Sequence, residues 1–277
     1  MPRFDQLISH RFRGFAAHES TMDGLIAALD FGVQQIEFDI RLTRCGTPLI
    51  THDEAAHTED GRSLKICEVM ARDLPDLGGD FARMPTAREL FAAIAAHDND
   101  TCRVLIDVKD AGFEDMLYAL AAEHRLRGRS VWVSWLPEVL YAVNAIDADA
   151  PLCLSHWCQS PGPATRAKHF VFDAEYGHIP RPERRLVHGE RSGWFVDGPL
   201  RGALREIVDW VCVPATQISR ALVDDYHGDG TRVSAFSYVT SEGMAVAEAR
   251  FGHDAFFSDA RQPFEALEHQ RADSVGP

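Results

Sequence analysis

Eight short apolar segments alternate with helical patterns along this 277-residue chain, and no other feature restricts its fold as strongly. The segments fall at 6–12, 35–42, 103–109, 130–135, 152–157, 210–213, 232–237 and 255–259. Helical periodicity separates them at 21–31, 86–97, 113–126, 137–147, 218–227 and 241–251, and a last helix opens at Gln262. Parallel neighbours need a crossover long enough to hold a helix, so repeated strand–helix units predict a parallel sheet. Eight such units predict an α/β fold, a (β/α)8 TIM barrel, whose catalytic face lies at the C-terminal ends of the strands. A hydrophobic content of 45% is enough to core one such barrel, so 1–277 reads as a single domain.

Two stretches break the alternation. Residues 53–85, with Gly61, Gly78-Gly79 and Met84-Pro85, read as a small insertion after the hairpin 47–52 that extends strand two. Residues 158–208, rich in proline and carrying Arg181, Arg184 and Arg185, read as a longer insertion after strand five. A loop of that length in a compact domain is expected either near the barrel mouth or in a homo-oligomer contact.

The polar residues inside the apolar segments carry the chemical signal. In Gln35-Ile-Glu37-Phe-Asp39-Ile-Arg41-Leu42, residues two apart share a face. Glu37, Asp39 and Arg41 therefore point one way, and Ile36, Phe38, Ile40 and Leu42 the other. Two carboxylates roughly 6.5 Å apart along a strand suit a single hard cation. Burying them otherwise requires basic partners or a bound proton. The segment 104–110 repeats the design, with Leu105, Asp107 and Lys109 on one face. His10 and Arg11 close the first strand, Glu19 precedes the first helix, and His52 follows the hairpin. His10, Glu37, Asp39, Asp107, Lys109 and Asp259 all fall at C-terminal strand ends, which suggests a metal-assisted site for a phosphoryl ester.

Composition narrows the partners. A formal net charge of −14 argues against nucleic acid or an anionic membrane as partner. An anionic substrate then needs local positive charge, which a metal ion with Arg11 and Lys109 could supply. The six cysteines form no CxxC pair, and several lie in apolar strands, where a buried reduced thiol is the expectation. With no signal-peptide core and no membrane span, a cytoplasmic location is expected.

The order of these motifs resembles the glycerophosphodiester phosphodiesterase family of TIM-barrel enzymes. His10-Arg11, Glu19-Ser20-Thr21, Glu37-Phe-Asp39 and His52-Asp53 follow its His-Arg-Gly, Glu-Asn-Thr, Glu-x-Asp and His-Asp in sequence and at similar spacing. Met84-Pro-Thr-Ala-Arg-Glu is similar to its Ile-Pro-Thr-Leu helix entry, Ile106-Asp107-Val-Lys109 to its Glu-Ile-Lys strand, and Phe257-Ser258-Asp259 to its closing Thr-Asp. The chain departs from the pattern at Phe12 for glycine, His18 for proline, Ser20 for asparagine, Asp107 for glutamate and Phe236-Ser237 for Trp-Thr.

The resemblance implies hydrolysis of a glycerophosphodiester-like small molecule to an alcohol and a phosphomonoester such as glycerol 3-phosphate. It implies that His10 and His52 form the acid–base pair, and that Glu37, Asp39 and Asp107 hold one divalent cation, Mg2+ or Ca2+. Arg11 and Lys109 would bind phosphate oxygens, with Glu19 orienting Arg11 or a substrate hydroxyl. The same chemistry on a lysophospholipid or sugar-phosphate diester, or a non-catalytic phosphometabolite-binding barrel, are the alternatives. His156 is open to a role in substrate contact, Trp135 and Trp157 either line the mouth or pack the barrel, and Asp259 is expected to be structural, capping the final helix.

Overall fold

Alternating side chains on a strand become an inside and an outside once strands close on themselves, and here they do. The computed structural model describes residues 2–158, 195–196 and 202–270. Its strands are β1 (Leu7–His10), β2 (Gln35–Leu42), β3 (Pro48–Ile50), β4 (Ala55–His57), β5 (Ser63–Lys65), β6 (Arg103–Val108) and β7 (Ser130–Ser134). They continue with β8 (Leu152–Ser155), β9 (Trp157–Cys158), β10 (Phe195–Val196), β11 (Trp210–Pro214), β12 (Arg232–Tyr238) and β13 (Ala255–Ser258). Eight of them run parallel in the order β1-β2-β6-β7-β8-β11-β12-β13, and β13 pairs back onto β1 to close the barrel. The expected TIM barrel is therefore present. β3 pairs antiparallel with β2 and forms the expected hairpin.

The two faces separate as the alternation requires. Ile8, Leu105, Val131, Val133, Cys212 and Phe257 pack together inside the barrel. Ile36, Phe38, Ile40, Ile106 and Val108 face outward into the layer shared with the helices. Helix ends follow local chemistry. Thr21 caps Met22–Phe31 by accepting from the Gly24 backbone N–H, and Gly32, at φ 84°, ends that helix in the left-handed region. Thr86 and Glu89 form a reciprocal capping box that starts Ala87–Ala96.

Residues 53–85 hold the antiparallel β4–β5 hairpin and short helical turns around a small core of Leu49, Ala56, Ile66, Val69 and Phe81. Of 158–208, the described parts are Cys158, β10 and 202–208, with β10 parallel to β9 and the helix Ala203–Ile207 following. The expectations placed on that segment otherwise lie outside the described residues, as does the side chain of Trp157. Among the described residues, no helix is long and apolar enough to cross a membrane.

Strand one is shorter than its apolar pattern suggests. It stops at His10 because Arg11 and Phe12 adopt φ of 57° and 61°, a conformation that ends pairing. For a residue with a side chain this costs roughly 1–2 kcal/mol. The Phe12 ring offsets that cost, being fully buried 6.1 Å from Phe38, which is worth about 1.5–3 kcal/mol. Phe12→Ala should therefore lose ~3–5 kcal/mol in urea unfolding, and Phe12→Gly should lose about 1 kcal/mol less because glycine carries no left-handed penalty. An alanine variant at least as stable as the glycine one would show that the turn is not strained.

Candidate active site

Register in the parallel sheet decides which side chains meet. β1 and β2 pair so that His10 lies beside Glu37, and β2 and β6 pair so that Asp39 lies beside Asp107. Each of these residues faces inward, so two strand pairings bring three acids and an imidazole to one spot. Glu37, Asp39 and Asp107 are all buried, and each offers an oxygen within 4.8 Å of the others. His10 Nε2 stands 3.7 Å from Glu37 Oε2.

Two cations share this ring. Lys109 Nζ bridges Asp107 Oδ2 at 2.6 Å and Asp39 Oδ1 at 2.9 Å, and it lies 4.9 Å over the Trp135 ring. Arg11 Nε sits 2.9 Å from Asp39 Oδ2, an ion pair whose alignment is too poor for a hydrogen bond. Three carboxylates against two cations leave one negative charge unmatched, in a place where unmatched charge is costly. The titration pattern follows. Burial, then Asp39 and Asp107, push Glu37 well above the carboxylate range. Burial also raises Asp107 despite Lys109. Burial opposes ionisation of Asp39 too, but Lys109 and Arg11 overcome it and hold that carboxyl well below its usual range.

Unsatisfied oxygens test whether a metal ion fits. Glu37 Oε2, Asp39 Oδ2 and Asp107 Oδ1 are buried without a hydrogen-bond partner, and buried carboxylate oxygens are ordinarily paired. An all-oxygen, net-negative cluster has the donor chemistry of a hard divalent cation. The residues fit such an ion.

The two histidines are each held at Nδ1 by an aspartate. His10 Nδ1 is 2.6 Å from Asp259 Oδ1, and burial pushes the imidazole down to about 4 even against that hydrogen bond. His52 Nδ1 is 2.8 Å from Asp53 Oδ1, with His52 about a quarter exposed. Its loop is tied down by Arg41, whose Nε donates to the His52 carbonyl at 2.7 Å and whose Nη1 donates to Asp110 at 3.0 Å. The Thr51 N–H also donates to the Asp39 carbonyl. Glu19 accepts from Arg11 Nη1 at 3.3 Å, so it does meet Arg11.

The structure gives three further residues specific partners. Asp259 does not cap the final helix: the N-cap position of Gln262–Leu267 is Arg261. Asp259 instead takes His10 on one oxygen and Arg13 and Ser237 on the other, because β13 closes beside β1. His156 is buried against the helix Arg220–His227, its Nε2 2.9 Å from the Tyr226 hydroxyl, and so belongs to the outer layer. Lys109 pairs with both Asp39 and Asp107. Arg13 joins the site with no role read for it from sequence, whereas Arg41 shares the face of Glu37 and Asp39 and Ser237 falls in the Phe236-Ser237 departure from the family pattern.

Comparison with known proteins gives a consistent picture. Residues 9–140 match the model of the glycerophosphoryl diester phosphodiesterase family. The chain is 30% identical over 187 residues to glycerophosphodiester phosphodiesterase 1 of Homo sapiens, covering 60% of this chain and 55% of that protein. It is 26% identical over 182 residues to the Rattus norvegicus protein of the same name, covering 60% and 54%. The chain thus spans about half the length of these relatives. Among solved structures it is similar to an Oleispira antarctica phosphodiesterase in complex with the product sn-glycerol-3-phosphate, with TM-score 0.64, 18% identity, and coverage of 96% of each chain. It is also similar to glycerophosphodiester phosphodiesterase from Thermotoga maritima, with TM-score 0.60, 15% identity, and coverage of 95% of this chain and 97% of that one. At those identities the structural likeness speaks to the fold.

The charge imbalance separates two substitutions that look alike. In chelated protein, Glu37→Gln should leave the melting temperature unchanged or raise it, since it removes the surplus charge. Asp39→Asn should cost several kcal/mol, roughly 3–5, because it strips Lys109 and Arg11 of their shared partner. Equal losses in the two variants would refute the assignment of the surplus charge to Glu37.

Proposed function

We propose, from the match of residues 9–140 to the glycerophosphoryl diester phosphodiesterase family model, that the chain hydrolyses glycerophosphodiester-like substrates to an alcohol and a phosphomonoester such as glycerol 3-phosphate. The observation that carries this reading is the convergence of three buried carboxylates, with unpartnered oxygens, on the edge of the His10 ring.

Glu37, Asp39 and Asp107 would hold one divalent cation, Mg2+ or Ca2+. Such an ion supplies positive charge to the phosphoryl oxygens as negative charge builds there. His10 and His52 serve as the acid–base pair: one takes the proton of the attacking oxygen, and the other gives a proton to the leaving alkoxide. Both present Nε2 for this work, since an ionised carboxylate occupies each Nδ1. With a divalent cation sharing the acids, Arg11 and Lys109 would bind phosphate oxygens, Arg11 with a fork matched to two of them. Glu19 holds Arg11 in place. A reducing cytoplasm suits the free thiols of Cys102, Cys153 and Cys212, and the small-molecule diester is the partner.

Turnover of bis(p-nitrophenyl) phosphate and of a panel of glycerophosphodiesters tests the reading. Release of glycerol 3-phosphate is expected, abolished by EDTA and restored by a divalent ion. His10→Ala and His52→Ala should each lower turnover by ~10²–10⁴-fold in protein that remains folded. No hydrolysis across the panel with added metal would defeat the proposal, and near-normal turnover in either variant would remove that histidine from it.

A further inference from the structure

The turn after β1 delivers a second arginine to the site. Gly14, at φ 80°, passes so close to the last helix that a Cβ there would land on the Arg261 backbone nitrogen. This close passage holds the preceding residue against the C-terminal end of β13. Arg13 uses that placement to grip two carboxylates. Its Nε donates to Glu19 Oε2, and its Nη1 donates to Asp259 Oδ2 at 2.8 Å.

Each carboxylate turns its other oxygen to a residue of the site. Glu19 Oε1 accepts from Arg11 Nη1 at 3.3 Å, and Asp259 Oδ1 meets His10 Nδ1 at 2.6 Å. Because an ionised carboxylate can only accept, His10 must carry its proton on Nδ1, which leaves the Nε2 lone pair toward Glu37. Arg13 is thus the common partner of the two groups that orient Arg11 and His10. Without it, Glu19 would keep Arg11 as its only side-chain partner among these contacts, whereas Asp259 would keep Ser237 and His10.

We propose that Arg13 is a positioning residue, binding the loop that carries Arg11 to the last barrel strand so that Arg11 and His10 are held in one arrangement. The kinetic part of this inference rests on the hydrolysis proposed above; the spectroscopic part does not. An ordinary half-exposed ion pair contributes about 0–1 kcal/mol to stability and nothing to the state of a neighbouring imidazole, so stability alone would not reveal the role.

The test is Arg13→Gln, with Arg13→Lys as the conservative partner that serves in its place should the glutamine variant fail to fold. In Arg13→Gln, kcat/KM should fall about tenfold, with a change of no more than a few degrees in Tm. Arg13→Lys should regain part of the loss, since a point charge satisfies one carboxylate rather than both. In a Glu19→Gln, Asp259→Asn background the further loss from Arg13→Gln should largely vanish, because residues acting through shared partners are not additive. Side-chain ¹⁵N NMR at neutral pH should show His10 as a single Nδ1-protonated tautomer in the parent protein and as a tautomer mixture, or broadened, in Arg13→Gln. Unchanged kinetics with an unchanged His10 spectrum would overturn the proposal, as would a loss that persists in full in the double-variant background. If the parent protein hydrolyses no phosphodiester, the reading of function fails by itself, and the His10 spectrum still decides the role of Arg13.

Discussion

Three buried carboxylates held against two cations form the constraint around which the rest of the site is arranged. The barrel forces the encounter, since neighbouring parallel strands set Asp39 beside Asp107 and Glu37 beside His10. Electrostatics then gives each acid a different character. Asp39, gripped by Lys109 and Arg11, stays ionised, whereas Glu37 has no ion-pair partner of comparable strength and is driven toward its protonated form. A fold selected for stability alone would fill these positions with apolar residues, as it does one layer below with Ile8, Leu105 and Phe257. Retaining the acids costs stability, and that cost is consistent with a centre built to receive positive charge.

Around this centre lies a second set of charges that controls direction rather than affinity. Asp259 and Asp53 each hold a histidine by Nδ1, Glu19 holds Arg11, and Arg41 pins the hairpin loop that carries His52. Each partner fixes an orientation that free rotation about side-chain bonds would otherwise scatter. The loops at the strand ends can carry these groups because the strands beneath them form a closed, packed barrel.

Much of this was legible in the sequence, for a physical reason. Periodicity of two places Glu37 and Asp39 on the inner face and Phe38 on the outer, whatever the strand's neighbours are, and the alternation of strand and helix leaves few topologies open. A closed barrel entails that its last strand meets its first, but the side-chain contact made across that seam was not legible. Asp259 meets His10 only because the last strand closes on the first, a contact between opposite ends of the chain that no local pattern reports. Arg13 was hidden for another reason: its reach depends on left-handed backbone at Arg11, Phe12 and Gly14. Phe12 fits there by burying its ring in the outer core, an energetic offset visible only once Phe38 is known to lie beside it. His156 was left open for a related reason, since a histidine at a strand end can as readily face the helices as the axis.

Anomalous diffraction from crystals soaked in Mn2+ would locate a cation at the three carboxylates, because the ion reports its own position whatever the substrate is. A single strong peak is expected among the oxygens of Glu37, Asp39 and Asp107. A peak elsewhere, or none while Lys109 still bridges Asp39 and Asp107, would contradict that placement.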